Sequence, residues 1–129
     1  MLMFHYTVET NQSVKETIKR LEANLLEDKF GVLWEFDVQQ KLNQTGLEFD
    51  QSFTVLEVCN PQEAKRVLDN NKLVGYFLPC KIVVYTDDQK TKIGMPKPTA
   101  LIQTVNDVEL NQIAQDIEER LIASIDKSI

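Results

Sequence analysis

Three segments of the chain carry one apolar stripe each at helical spacing, and strand-like segments separate them. The last stripe is the longest and consists of Leu110, Ile113, Ile117, Leu121 and Ile125. The two earlier helices are predicted from Val14 to about Asp28 and from Pro61 to about Lys72. Because a helix with a single apolar face must bury it against another element, these stripes predict a layered fold.

Polar residues mark where each predicted helix begins. Ser13 followed by Glu16 is typical of a capping box, in which both side chains accept backbone N–H groups of the first turn. Asn60 stands directly before the second helix, and Asn106 with Glu109 predicts the start of the third.

Five segments have the composition or alternation of β-strands. They cover residues 2–8, 32–38, 53–59, 80–85 and 91–95. The turn residues at 87–90 predict a hairpin between the last two strands. Residues 99–105 fit either an edge strand or a short helix, and Pro98 favours the helix. The order strand, helix, strand, strand, helix, strand, strand, helix predicts one α+β domain over residues 1–129, with a mixed or antiparallel sheet.

Alternation within the first two strands assigns their side chains to the two faces of the sheet. Trp34 and Phe36 fall on one side, which we expect the helices to cover. Glu35 and Asp37 fall on the other side, about 7 Å apart at the usual strand rise, and His5 lies on the less apolar face of the first strand. If all helices cover one face, we expect the opposite face to form a subunit interface or a small-ligand cavity.

Two cysteines flank the second predicted helix. Cys59 ends one strand and Cys80 begins the next, 80 − 59 = 21 positions later. Antiparallel neighbours would place both thiols at the same end of the sheet and parallel strands at opposite ends, and the sequence allows either. The candidate ligand-binding residues are His5, Glu35, Asp37, Cys59, Asn60, Pro79 and Cys80.

An enzyme is the alternative interpretation of the same residues. Asn60 at a helix cap places Cys59 near a positive dipole end, which favours a thiolate, whereas cysteines more often serve as small buried apolar residues. A thiolate of Cys59 or Cys80, or a Glu35–Asp37 carboxylate pair, could act in catalysis. No phosphate loop, dinucleotide fingerprint or nucleophile elbow occurs in the sequence. We therefore assign no catalytic residue.

By their ligand atoms alone, Cys59, Cys80 and His5 could bind zinc, with Glu57 or Asp37 as the fourth ligand. These residues lack the closely spaced ligand pairs of structural zinc sites. The sequence therefore predicts no metal and no other cofactor.

The charge balance argues against nucleic acid as a partner. The chain has 20 acidic and 14 basic side chains, which gives 14 − 20 = −6, and the basic residues are scattered among acids.

No apolar run approaches the ~20 residues of a membrane span. The first six residues lack the basic N-terminal region of a signal peptide. We expect a cytosolic protein with reduced thiols and no membrane partner.

Three segments carry a family resemblance. They are Gly31–Val38, Val58–Pro61 and Leu78–Tyr85, each beside the expected strand. Together they resemble the domain-of-unknown-function family numbered 302 over nearly the whole chain. The resemblance implies a TATA-binding-protein-like fold, a sheet with helices on one face and a homodimer. It implies no activity, because that family has no settled biochemical function. Family members often carry an acidic residue where this chain has Lys97, so no role is transferred to that loop.

Overall fold

The computed structural model describes residues 3–129, which form one α+β unit. The strands are β1 (His5–Thr10), β2 (Gly31–Asp37), β3 (Phe53–Cys59), β4 (Cys80–Asp87) and β5 (Lys90–Pro96). The helices are α1 (Val14–Glu27), α2 (Val38–Gln44), α3 (Pro61–Asn70), α4 (Pro98–Leu101) and α5 (Val108–Asp126), with 3₁₀ helices at Lys72–Phe77 and Gln103–Val105. The predicted order of the long elements is confirmed, and residues 99–105 are helical rather than extended. Leu2, the predicted first residue of β1, lies outside the described residues.

All five strands pair antiparallel, so the sheet is antiparallel rather than mixed. Their order across the sheet is β1-β5-β4-β3-β2. The β4–β5 hairpin therefore lies in the middle, while β1 and β2 form the two edges. The Leu78–Pro79 peptide bond that precedes β4 is cis.

Helices α1, α3 and α5 pack on one face of this sheet, which we call the helix-covered face. Its strand side chains are buried: Leu56, Val58, Ile82, Val84, Ile93 and Met95. They form one cluster with the helix stripes, including Leu21 and Leu25 of α1, Val67 of α3 and Leu110 to Ile125 of α5. Side chains of the opposite face, which we call the open face, stay partly exposed. Helical packing on a single face is therefore confirmed for the three long helices.

An irregularity in β2 reverses the predicted faces of its second half. Val32 pairs with Val58, but the register shifts before Trp34, so that Glu35 pairs with the buried Leu56. A β-bulge places one extra residue in one strand and so moves every later side chain to the other face. The prediction was wrong here. Trp34 and Phe36 lie on the open face, whereas Glu35 and Asp37 lie on the helix-covered side.

The three long helices begin at side-chain caps, but two details differ from the prediction: the Glu16 carboxylate accepts from Arg20 rather than completing a capping box, and the cap of α5 is shifted. The Ser13 hydroxyl accepts the Glu16 N–H at 3.1 Å, and Asn60 Oδ1 accepts the N–H groups that begin α3. The start of α5 lies one residue later than predicted, because the Asp107 carboxylate, not Asn106, accepts the Leu110 N–H. Asn106 adopts a left-handed conformation with φ 58° and so ends the preceding 3₁₀ helix.

Candidate functional site

A cavity of about 410 Å³ lies between the helix-covered face and the helices at one end of the sheet. We call it the helix-side cavity. Its walls come from α3, the 3₁₀ helix 72–77, α4 and α5, and its floor from the ends of β3, β4 and β5. Most of its lining is apolar, with Val58, Val67, Val74, Phe77, Leu78, Met95, Leu110, Ala114 and Ile117 among the contributors. Its volume lies within the range of small-molecule sites.

Four of the seven predicted site residues line this cavity together: Cys59, Asn60, Pro79 and Cys80. They meet because β3 and β4 are antiparallel neighbours, with Val58 opposite Cys80. The end of β3 therefore coincides with the start of β4, which resolves the alternative that the sequence leaves open. The cavity lies on the side of the helices, not on the opposite face where the sequence analysis places it.

The other three predicted residues lie elsewhere. His5 is on the open face, and its Nδ1 is 2.8 Å from the Thr7 hydroxyl. Asp37 is the N-cap of α2, where its carboxylate accepts the Gln40 N–H at 2.9 Å. Glu35 reaches Glu22 on α1 rather than Asp37. The predicted grouping of His5 with the two carboxylates is therefore wrong.

Glu22 and Glu35 form a carboxylate pair between α1 and β2. The hydrogen bond to Glu35, partial burial and the negative charge of Glu35 together raise the pKa of Glu22 to about 7. Glu22 therefore keeps its proton under mildly acidic conditions. Both residues are absent from the lining of the helix-side cavity, so the pair belongs to the α1–β2 contact.

The charged and amide groups at the cavity already have partners within the protein. Lys81 Nζ lies 3.0 Å from a carboxylate oxygen of Glu57. Glu63 accepts from Arg120 at 3.1 Å and from Arg66 at 3.0 Å. Since these lining charges are paired, the cavity presents mainly apolar surface together with two thiols.

The two thiols are free. Burial, and secondarily the neighbouring Cys59, raises the pKa of Cys80 to about 11. At neutral pH the Cys80 side chain is therefore protonated and a poor nucleophile. Cys59 lies half-buried at the end of its strand.

Sequence reasoning missed most of the cavity walls. It assigns no helix or strand to residues 73–79 and singles out only Pro79 there, although this segment also contributes Val74, Phe77 and Leu78 to the lining. The run of apolar residues around Gly75 was an available signal, because solvated loops seldom carry so many. Met95 and Ala114 gave no local signal beyond their places in a strand and a helix stripe.

A second feature is the aromatic surface of the open face. The rings of Trp34 and Phe36 stack with centres 5.2 Å apart and planes 3° from parallel. Phe53 packs against Tyr85 at 5.3 Å and against Phe49 at 6.4 Å. Trp34 remains 52% exposed. These five residues form what we call the aromatic patch.

Comparison with known proteins places this architecture in a family. The family model for "Domain of unknown function DUF302" matches residues 6–128. The chain is a member of the DUF302 family. Among solved structures, this DUF302 chain is similar to the crystal structure of an uncharacterized conserved protein DUF302 from Bacillus stearothermophilus. The two share 56% sequence identity and a TM-score of 0.96, over 99% of this chain and 100% of the other. No curated protein matches this DUF302 chain.

The structure of residues 3–129 also bears on metal binding and on membranes. Within that range no group of three or more His, Cys, Asp or Glu side chains is arranged to hold a metal ion. No described helix of this DUF302 chain has both the length and the apolar character needed to cross a bilayer.

Proposed function

We propose that this DUF302 protein is a non-enzymatic binding module that takes a small, uncharged and largely apolar molecule in the helix-side cavity. The observation that carries this proposal is the cavity itself, which has a volume of about 410 Å³, a mostly apolar lining and walls that belong to the core. Unfilled apolar volume of this size destabilises a fold, so its presence favours a role in binding.

The polar groups at the cavity set the chemical class of the ligand. A charged ligand would have to break the Lys81–Glu57 pair or the Glu63–Arg120 pair, and neither pair has a spare partner inside the cavity. A neutral apolar molecule requires neither change. Burial of its surface would contribute roughly 25 cal/mol per Å² to binding.

A fluorescent neutral probe tests this proposal. N-phenyl-1-naphthylamine should bind the wild-type chain with enhanced emission and one site per protomer. Ala114→Leu fills the cavity from α5 and should weaken probe binding about tenfold or more, because the added methyl groups occupy ligand volume.

The matched control is Ala123→Leu, which adds the same volume to an exposed position of the same helix. It should leave probe affinity unchanged. Equal affinity in wild type and Ala114→Leu, with both proteins folded by circular dichroism, would refute the cavity as the binding site. Ala64→Leu, which enters from α3, provides a second filling variant.

The positions of the candidate residues give little support to the enzyme alternative. Asp37 is engaged as a helix cap, and the raised pKa of Cys80 disfavours a thiolate at neutral pH. Alkylation by iodoacetamide across pH 6–10 tests the thiol version. A fast, pH-independent reaction at Cys59 or Cys80 near neutral pH would favour an enzyme.

We also propose that a second copy of the chain covers the open face. The chain carries a net charge of −6, but the charges flanking the aromatic patch are locally paired. Lys81 pairs with Glu57, and Lys92 lies 2.9 Å from Asp87 and 3.8 Å from Glu9. A second copy would thus meet an apolar, nearly neutral surface rather than a like-charged one.

The area of the open face supports the same arrangement. Five strands at about 4.8 Å spacing and about 20 Å length give a flat area of roughly 480 Å². A standard interface buries about 800 Å² of accessible surface per partner. Side chains that project from the sheet, and the loop at residues 47–52, would add accessible surface to the flat area. The sheet and this adjoining loop together are of suitable size for a two-fold interface.

Light scattering tests the homodimer directly. Wild type should have twice the protomer mass of 14.9 kDa at micromolar concentration. Trp34→Glu should shift the mass towards one protomer, because it places a charge within the aromatic patch. Leu26→Glu, at an exposed apolar position of α1, is the matched control and should remain dimeric. A wild-type monomer would refute the proposal.

The free thiols are compatible with a reducing compartment, and we propose a cytosolic location on this basis. Expression as a fluorescent fusion in the source organism would test it.

A further inference from the structure

The strand registers align the side chains of the open face into rows that run across the sheet. The central row consists of Phe36 on β2, Val55 on β3, Val83 on β4, Gly94 on β5 and Thr7 on β1. Its three middle members each lie between two buried residues of the helix-covered face, and strand alternation therefore directs them to the open face. Side-chain size falls along this row from a phenylalanine through two valines to a glycine. The open face therefore slopes downward from β2 to β5.

The high end of this slope is an aromatic wall, which we call the β2 wall. It consists of the stacked rings of Trp34 and Phe36. The low end lies at Gly94, where an added Cβ atom would come within 3.0 Å of Thr7 Oγ1. Because that approach is closer than ordinary van der Waals contact, the packing of β1 on β5 keeps this point of the sheet without a side chain.

The row beside the central one carries one charge of each sign. Glu57 on β3 lies opposite Lys81 on β4, and the Lys81 Nζ is 3.0 Å from a Glu57 carboxylate oxygen. Both side chains remain accessible, Glu57 at 23% and Lys81 at 53%. The line between β3 and β4 thus has unlike charges on its two sides in this row and two valines on its two sides in the central row.

A second copy packed face to face would be related by a two-fold axis that lies in the interface. Rotation about such an axis brings each residue against the residue at equal distance on the other side of the axis. An axis along the strands between β3 and β4 would therefore place Glu57 against Lys81 of the second copy. In the same way it would place Val55 against Val83, and the β2 wall over the low point at Gly94.

Other axes match the two surfaces less well. An axis along β3 would place Glu57 against Glu57 of the second copy, and an axis along β4 would place Lys81 against Lys81, so that like charges meet. An axis along the central row would place Phe36 against Phe36 and Gly94 against Gly94. The aromatic rings would then hold the sheets apart and leave a gap over β5.

We propose that the two-fold axis of the homodimer runs along the strands between β3 and β4, so that β3 of each copy faces β4 of the other and β2 faces β5. This inference rests on the homodimer proposed above and adds the geometry of its interface. Sheets that pack face to face keep their strand directions within about 30° of each other, which this axis allows. β1 lies outside the contact, with Glu9 at its margin.

Mixing two charge variants tests the axis. Glu57→Lys and Lys81→Glu should each raise the dissociation constant of the homodimer about tenfold or more, because like charges then meet across the interface. An equimolar mixture of the two variants should form a heterodimer with nearly wild-type affinity, because the lysines of one copy face the glutamates of the other. Light scattering measures the separate variants. Native mass spectrometry of the mixture, with one variant isotope-labelled, measures the heterodimer.

Glu9→Lys is the matched control. It reverses one charge of another cross-strand pair on the open face, in which Lys92 Nζ lies 3.8 Å from Glu9, but this residue is on β1. The dissociation constant should therefore remain that of wild type. A loss of dimer equal to that of Glu57→Lys would overturn the axis, because β1 would then lie inside the contact.

A pair of size variants makes the test independent of charge. Val83→Phe should weaken the homodimer, because the larger ring would meet Val55 of the second copy. Addition of Val55→Ala should restore association as a heterodimer, because the cavity and the ring then face each other between copies. Circular dichroism shows which variants are folded, and this pair decides if a charge variant is not.

The outcomes separate the axis from the homodimer itself. A monomeric wild type would overturn both. A dimeric wild type whose folded charge variants stay dimeric, or whose mixture forms no heterodimer, would overturn the axis and leave the homodimer in place.

Discussion

Glu22 and Glu35 connect α1 to β2 through a hydrogen bond that requires one proton. The raised pKa of Glu22 means that the folded protein binds more protons than the unfolded chain between about pH 4.5 and pH 7. The free energy of unfolding therefore falls as pH rises through this window and is highest below it. Above pH 7 Glu22 is charged and is repelled by the neighbouring Glu35.

Glu22→Gln should remove this pH dependence. At pH 8 we expect the variant to be more stable than wild type by about 1 kcal/mol, a value reduced for solvent screening because the pair is largely exposed. At pH 4 the two proteins should have nearly equal stability. Urea unfolding at both pH values measures the difference. Glu27→Gln on the same helix is the control, and a similar gain there would contradict the explanation.

Single residues also limit what can be predicted from the sequence. The alternation of Gly31–Asp37 places Trp34 in the core, and one extra residue in the β2–β3 ladder moves it to the open face. Two adjacent large apolar residues, Leu33 and Trp34, were the local sign of a broken alternation. The face on which Trp34 lies depends on how β2 pairs with β3, and the periodicity of a single strand carries no information about that pairing.

The start of helix α5 depends on two adjacent residues with different roles. Asp107 caps the helix, while Asn106 occupies the left-handed region at φ 58°. We expect Asp107→Ala to cost about 1 kcal/mol of unfolding free energy. Asn106→Gly should be neutral or slightly stabilising, because glycine adopts positive φ without strain. Thermal unfolding compares the two variants, and the reverse order of stability would show that Asn106 is the cap.

Arg120 connects three elements around Phe30. Its guanidinium donates to the Asp28 carboxylate at 2.9 and 3.1 Å, lies 3.1 Å from Glu63 and stacks 5.1 Å from the centre of the Phe30 ring. We expect Arg120→Ala to cost about 2 kcal/mol, because Glu63 is largely buried and loses a partner. Arg20→Ala, which breaks an exposed pair, should cost at most about 0.5 kcal/mol in the same urea titration.

The same ion pair has a pH signature. The hydrogen bond from Arg120 lowers the pKa of Asp28 below its ordinary value, so its stabilisation is present at neutral pH and is lost as pH falls through the acidic range. The destabilisation caused by Arg120→Ala should therefore shrink at low pH. An unchanged difference would show that packing on Phe30, rather than charge, dominates.

Helices were predictable because the information that forms them is local. The stripe of α5 and the Ser13 and Asn60 caps are each contained in a few consecutive residues, and all are confirmed. The cavity is different, because its lining comes from residues up to 121 − 30 = 91 positions apart in the sequence. The four predicted residues that line it are adjacent to strand ends, where the β3–β4 register brings them together.

For the whole molecule, association should be visible in thermal unfolding. If two copies bury their open faces, the midpoint rises with protein concentration, because dimerisation stabilises the folded state by mass action. A hundredfold increase in concentration should raise it by several degrees, and Trp34→Glu should abolish the dependence. Trp34 is the single tryptophan of the chain, so its fluorescence reports the same transition. A midpoint that does not vary with concentration would contradict the homodimer.

The placement of β1 beside β5 also affects how the protein emerges from the ribosome. His5 pairs with Pro96, which is 96 − 5 = 91 residues later in the chain. β1 therefore has no neighbour in this sheet until β5 has been synthesised. During that interval the edge of β1 is open to association with other polypeptides, so chaperone contact at β1 would be most useful then.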